Sequence, residues 1–213
     1  MIAEKQYFED YLGERGFENV PRLMGIFEHY HKELVRHNKS VNLISRKMPP
    51  NSYWLQHFLD SLIALETLDF VGQSVLDFGT GGGLPGIPLK IVQPAMSLVL
   101  LDSTQKKCRV VQEMVEGLSL PDTAIACARV EDYAFVARRP SFDFILCRAV
   151  ALEERYIAPL RRLLKPSGRL VIYKSQSLAD LEGIKYEVIL EKEIEDAGSR
   201  RLVAIAQRDL MRR

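Results

Sequence analysis

The chain has 213 residues, with 29 basic against 28 acidic side chains and a formal net charge of +1. Hydrophobic residues make up 47% and charged residues 27%. That balance excludes a disordered or fibrous polymer and fits one domain able to bury its own core. No apolar run approaches the roughly 18–20 residues that span a bilayer. Met1–Asp10 carries four charged side chains and no apolar stretch, so it does not read as a signal peptide. Cys108, Cys127 and Cys147 are odd in number and far apart, which suggests reduced thiols in a cytoplasmic protein. The four histidines, His29, His31, His37 and His57, all precede residue 60. His29 and His31 point to different sides of a helix, so no metal is expected.

Charge is sorted along the chain. Residues 29–47 hold five basic side chains and one acid, residues 155–174 hold six basic side chains and no acid, and residues 182–196 hold six acids and two lysines. Either solvated helix faces or tracks for a polyanion produce such windows.

Residues 1–70 read as a helical cap and 71–213 as an α/β domain. In Arg22–Arg36 the side chains Leu23, Ile26, Phe27, Tyr30 and Leu34 form one helical stripe. Asn51 or Ser52 suits the cap of a further helix carrying Leu55, Phe58, Leu59, Leu62, Ile63 and Leu65. The pattern changes at Gly72. Ser74–Phe78, Ser97–Leu101, Thr123–Ala128, Phe142–Cys147 and Arg169–Tyr173 read as buried strands. They alternate with helices at Gly86–Val92, Gln105–Leu118 and Leu152–Leu164, which predicts a doubly wound, mostly parallel sheet. Lys185–Leu190 and Arg201–Gln207 read as a closing hairpin around the loop Asp196–Ser199.

The chemical signal lies where the first strand runs into Asp77-Phe78-Gly79-Thr80-Gly81-Gly82-Gly83-Leu84-Pro85-Gly86. Glycine permits positive φ and removes Cβ, so a ligand can approach the backbone. The helix that follows offers free N–H groups and a positive dipole end. Gly81, Gly83 and Gly86 match a dinucleotide fingerprint, but two residues too far from the strand end. Asp77 sits badly with a pyrophosphate and suits an ammonium or sulfonium ligand, such as S-adenosylmethionine. Asp102, at the end of the second strand, is placed to accept from ribose hydroxyls. Glu131 after the third strand and Arg148 after the fourth fall at the same sheet edge.

These residues resemble a known family. Asp77–Pro88 followed by Leu100-Leu101-Asp102-Ser103 is similar to the 16S ribosomal RNA guanine-N7 methyltransferases, once called glucose-inhibited division protein B. Asn38–Arg46 (NKSVNLISR), Gln56–Ser61 (QHFLDS), Arg129-Val130-Glu131 and Cys147-Arg148-Ala149 resemble that family's other blocks. Gln56, Gly82, Cys147 and Lys174-Ser175-Gln176 depart from its usual residues. The resemblance implies a seven-stranded class I methyltransferase fold with an N-terminal helical cap. It implies S-adenosylmethionine held by Gly79, Leu84, Val130, Glu131 and Arg148, to which the residue reading adds Gly81 and Asp102. It implies 16S rRNA, in the 30S subunit or an assembly intermediate, as the partner of a chain that nothing requires to be more than a monomer. Asn38, Lys39, Asn42, Arg46, His57, Asp60, Lys174 and Arg201 are candidate RNA-facing residues. His57 and Asp60, one turn apart, suit a hydrogen-bonded pair, and Tyr53 and Trp54 either stack on bases or pack in the core.

No N-P-P-Y or D-P-P-Y follows the fourth strand, and Cys147 lacks the context of a nucleophile. Guanine N7 has an in-plane lone pair and no proton to lose, so no catalytic base is assigned. Three other readings remain at this point. They are a small-molecule methyltransferase, a nicotinamide-dependent oxidoreductase and a non-enzymatic RNA-binding assembly factor.

Overall fold

The alternation that begins near residue 74 folds into one sheet. Its strands are β1 (Ser74–Phe78), β2 (Ser97–Asp102), β3 (Thr123–Cys127), β4 (Phe142–Arg148), β5 (Leu164–Lys174), β6 (Glu187–Ile194) and β7 (Gly198–Ala206), in the spatial order β3-β2-β1-β4-β5-β7-β6. The pairs β1·β2, β1·β4, β2·β3 and β4·β5 are parallel, and the pairs β5·β7 and β7·β6 are antiparallel. This computed structural model describes residues 3–175, 177–194 and 198–211. Among them no helix is long and apolar enough to cross a membrane.

The period of two along the strands splits the core between the two sheet faces. Val75, Leu98, Leu100, Leu146, Val171 and Leu202 point to one face, and Leu76, Leu101, Ile145, Ile172 and Val203 to the other. The first face is covered by α4 (Gly86–Val92), α5 (Gln105–Gly117) and the N-terminal helices α1 (Ala3–Glu14) and α2 (Val20–Asn38). The second is covered by α6 (Val130–Val136) and α7 (Glu154–Leu163). Phe8, Phe27, Tyr30, Trp54 and Phe58 are buried in the same cluster as Leu98 and Leu100, so the helical segment shares its core with the sheet.

The structure departs from the sequence reading in four places. Residues 50–66 are not one regular helix. They wind as a 3₁₀ turn at Pro50–Ser52, a wider π-helical stretch at Trp54–Leu59, α3 (Asp60–Leu62) and a 3₁₀ turn at Ile63–Glu66. Trp54, Leu55, Phe58, Leu59, Leu62 and Ile63 are all buried, so no solvent face imposes a 3.6-residue repeat. Helix α6 was unforeseen, because seven residues with a β-branched start and an exposed Phe135 carry no helical stripe. Strand β5 begins at Leu164, five residues before the expected Arg169. The closing strands are shifted to Glu187–Ile194 and Gly198–Ala206, and Asp196 and Ala197 of the expected loop lie outside the described residues.

Candidate active site at the carboxyl ends of the strands

The strand order reverses between β1 and β4, and ligand crevices open at such a switch point beyond the carboxyl ends. Gly79 follows β1, Asp102 ends β2, Val130 and Glu131 follow β3, and Arg148 ends β4. The glycine loop is tied to the sheet, since the N–H groups of Gly79 and Thr80 both donate to Leu101 O, at 2.9 and 3.1 Å. Gly79 and Gly81 take φ of 73° and 57°. A Cβ on Gly79 would meet Val150 Cγ2 at 2.6 Å, and one on Gly83 would meet Ile87 Cδ1 at 2.3 Å. Gly83 also takes a positive φ, of 95°, so a side chain at either position would be strained.

Asp77 does not face a ligand. It is fully buried, and its Oδ2 accepts from Thr80 Oγ1 at 2.7 Å and from Gly86 N at 2.9 Å, while Oδ1 has no partner. Burial raises its pKa to about 6 against the opposing effect of these bonds. Nor is the N-terminus of α4 open, because Gly86 N donates to Asp77 and Ile87 N to Gly83 O. Gly81 N donates to Asp102 Oδ2 at 3.2 Å and Gly83 N to Thr80 O at 2.9 Å. The amides that would cradle a pyrophosphate in the nicotinamide reading are thus already used within the protein.

Two chambers flank this loop. The first, about 450 Å³, is lined by Gly79, Gly81, Asp102, Val130, Glu131 and Arg148, with Leu43, Phe78, Ala128, Val150 and Tyr156 as apolar wall. Each Asp102 oxygen accepts one backbone N–H, from Gly81 and from Thr104 (2.8 Å), which leaves lone pairs for the hydroxyls of a diol. Glu131 at the start of α6 adds a second carboxylate, and the two acceptors fit the hydroxyl and amine groups of a nucleoside, with Lys107, Arg129 and Arg155 on the same wall. The second chamber, about 360 Å³, is lined by His57, Asp60, Leu84, Tyr173, Lys174 and Arg200. Leu43, Gly79, Gly81, Arg148 and Ala149 line both. Ala149 holds φ at 58°, a left-handed strain of about 1–2 kcal/mol for a residue with Cβ, next to the arginine at the junction.

A charge network organises the second chamber. Asp60 is buried between two arginines. Its Oδ2 accepts from Arg148 Nη1 at 2.8 Å and its Oδ1 from Arg200 Nε at 2.7 Å. His57 and Asp60 do not bond each other as the spacing suggested. Arg148 joins them, because its Nη1 also reaches His57 O and its Nη2 lies 3.5 Å from His57 Nδ1. Burial and then the Arg148 charge lower the His57 pKa to about 3, so the imidazole is neutral. Cys147 is buried, and burial pushes its thiol up to about 12.

The remaining RNA-facing candidates scatter. Asn38 is buried, and its Oδ1 accepts from Leu43 N at 2.9 Å and Ile44 N at 3.2 Å. Arg46 is exposed, and its Nε donates to Asn38 O at 3.0 Å. Lys39 and Asn42 are exposed on the same loop, whose Leu43 lines both chambers. Lys174 pairs with Asp180 at 2.6 Å. Arg201 is not at the cleft. It lies opposite Glu191 on β6 and pairs with it, and the alternation of β7 turns its neighbour Arg200 toward Asp60 instead. Tyr53 and Trp54 are both 3% exposed and pack in the core.

The family model described as rRNA small subunit methyltransferase G matches residues 24–202. The chain belongs to this family. It is 32% identical over 198 residues to the ribosomal RNA small subunit methyltransferase G of Bacillus cytotoxicus, covering 91% of this chain and 82% of that one. It is 35% identical over 157 residues to the protein of that name from Oenococcus oeni, covering 72% of this chain and 64% of that one. The aligned stretch therefore spans a little under two thirds of the Oenococcus oeni relative. Among solved structures, a SAM-dependent methyltransferase from Aquifex aeolicus superposes with a TM-score of 0.57 at 18% identity, over 81% of this chain and 98% of that one. That likeness shows the class I methyltransferase fold. Within the small subunit methyltransferase G family match lie all five of the residues that line both chambers. Arg200 was missed in the sequence. The strand parity that separates it from Arg201 becomes visible only once the register against β5 is known.

Proposed function

We propose that the chain transfers a methyl group from S-adenosylmethionine to N7 of a guanine in 16S ribosomal RNA, in the 30S subunit or an assembly intermediate, acting as a cytoplasmic monomer. The observation that carries this reading is the meeting of a chamber holding Asp102 and Glu131 with a chamber holding Asp60 between Arg148 and Arg200, at Leu43, Gly79, Gly81, Arg148 and Ala149. Family membership supports ribosomal RNA as the acceptor and argues against a small molecule. The spent amides of the glycine loop argue against a nicotinamide cofactor.

Asp102 and Glu131 would hold the ribose and base side of the cofactor, with Val130 as its apolar floor. Gly79, Gly81, Leu84 and Arg148 would hold the end facing the second chamber. S-adenosylmethionine supplies there a methyl group on a sulfonium centre. The chain orients the guanine and excludes water, which is worth up to several kcal/mol. No group of the second chamber is poised as a base. His57 is neutral and a poor proton acceptor, Asp60 is locked between two arginines, and the Cys147 thiol stays protonated. A base is not needed, since N7 attacks with its lone pair. Asp60 also offsets one of the two arginine charges beside a guanine that becomes cationic. Lys39, Asn42, Arg46, Lys174 and Arg200 would face the RNA, while Asn38, His57 and Asp60 position them.

Calorimetry with S-adenosylhomocysteine and NADH tests the pocket, and transfer of labelled methyl to 30S subunits lacking the modification tests the acceptor. Binding of the first ligand alone, with label in RNA, is the expected result. NADH binding, or label confined to small molecules, would sink the proposal.

A further inference from the structure

The most exposed large apolar side chains of the described residues stand together at the end of α6, where Phe135 is 80% and Val136 72% exposed. Residues 133–142 (YAFVARRPSF) add Arg138 and Arg139, with the exposed Asp132 one turn before Phe135 as the neighbouring acid. Both arginines are exposed, and neither enters an ion pair among the described residues. A third guanidinium borders the patch, since Arg162 Nη2 on α7 donates to Ala137 O at 3.2 Å. Among the described residues Phe135 belongs to neither core cluster, and an exposed ring on a short helix adds no stability. An aromatic face beside unpaired arginines is the composition that stacks an unpaired base and neutralises its flanking phosphates. Helix α6 starts at the first chamber, where Val130 and Glu131 line the wall, and its seven residues rise about 10 Å. Phe135 therefore lies a few nucleotides' reach from the junction, outside both chambers.

We infer that Phe135, with Arg138, Arg139 and Arg162, forms a second RNA-docking surface that stacks an unpaired nucleotide of the substrate RNA away from the target base. This rests on the RNA-methyltransferase reading. A ribosomal protein is the other partner that such a patch would suit, but three guanidinium groups against the single exposed carboxylate of Asp132 favour an anionic partner.

Three variants of the full chain test it: Phe135→Ala, Phe135→Trp and the double replacement Arg138→Ala/Arg139→Ala. All three alter exposed side chains, and thermal melts check that they fold. With undermethylated 30S subunits and with deproteinised 16S rRNA, Phe135→Ala should raise KM about tenfold or more, at unchanged kcat and unchanged S-adenosylhomocysteine affinity. The double variant should flatten the slope of log affinity against log salt by about 1.5 to 2. Phe135→Trp should keep activity, and its fluorescence should be quenched by 16S rRNA beyond the response of buried Trp54. Wild-type KM in Phe135→Ala with an unquenched tryptophan would overturn the inference. So would an effect seen only with whole subunits, which would assign the patch to a ribosomal protein. Quenching and salt slope need no methyl transfer, so failure of the enzyme reading and failure of this inference are told apart.

Discussion

Asp77 and His57 are buried titratable groups shifted in opposite senses. Asp77 titrates near 6 in the folded protein, above its usual 3.8, so between those values the native state holds a proton that the unfolded chain has lost. Its contribution to stability is present below pH 3.8 and declines as pH rises to about 6. His57 titrates near 3, below its usual 6.5, so its contribution is present above pH 6.5 and is lost as pH falls toward 3. Each one-proton difference changes stability by about 1.4 kcal/mol per pH unit, and from about pH 4 to 6 the two slopes oppose each other. Relative to wild type, Asp77→Asn should gain stability with rising pH through this window, and His57→Gln should lose it. Denaturant titrations at several pH values check this, and parallel curves for either variant would mean that the group does not titrate where its burial implies. Asparagine keeps an oxygen to accept from Thr80 and Gly86, so the comparison isolates charge from loop geometry.

The glycine loop is held by α2 as well as by the strands. Tyr30 donates its hydroxyl to Gly82 O at 2.8 Å, and Asn38, at the end of the same helix, accepts the amides of Leu43 and Ile44. Replacing Asn38 with Ala strips two amides of their partner and should cost about 1–3 kcal/mol. Because Leu43 lines both chambers, the same change should weaken S-adenosylhomocysteine binding several-fold, which calorimetry would read. A loss of stability with unchanged ligand affinity would uncouple α2 from the site. How much of this was legible follows from the kind of signal each element carries. The alternating strands were readable because buried parallel strands are continuous apolar runs bounded by glycine or charge. Helix α6 and the π-helical stretch were not, since the first turns apolar Phe135 and Val136 to solvent and the second is buried on nearly every side, so neither sets an amphipathic period. The glycine loop could be placed at once, but the role of Asp77 could not. A strand-end acid that binds a ligand and one that closes the loop look the same until Thr80 and Gly86 fold back on it.

Over the whole molecule, a net charge of +1 conceals the sorting that matters. Of the acidic window, Glu187, Glu191 and Glu193 lie on β6, at the sheet edge beyond β7, with Glu191 and Lys192 paired to Arg201 and Glu66. The cationic groups Arg148, Lys174 and Arg200 line the second chamber instead, and Lys39 and Arg46 are exposed on the loop whose Leu43 lines both chambers. This distribution could not be read from the sequence, because it depends on which strand becomes the edge. It accounts for a chain of almost no net charge engaging a polyanion. The identity of the methylated atom decides whether the site works without a base. Incubation with S-adenosylmethionine and undermethylated 30S subunits, followed by borohydride and aniline treatment, cleaves RNA wherever guanine carries a methyl at N7. A single new break in the 16S RNA is the predicted result. Methyl label in the RNA with no break would contradict attack by N7 and with it the account of a site that works without a base.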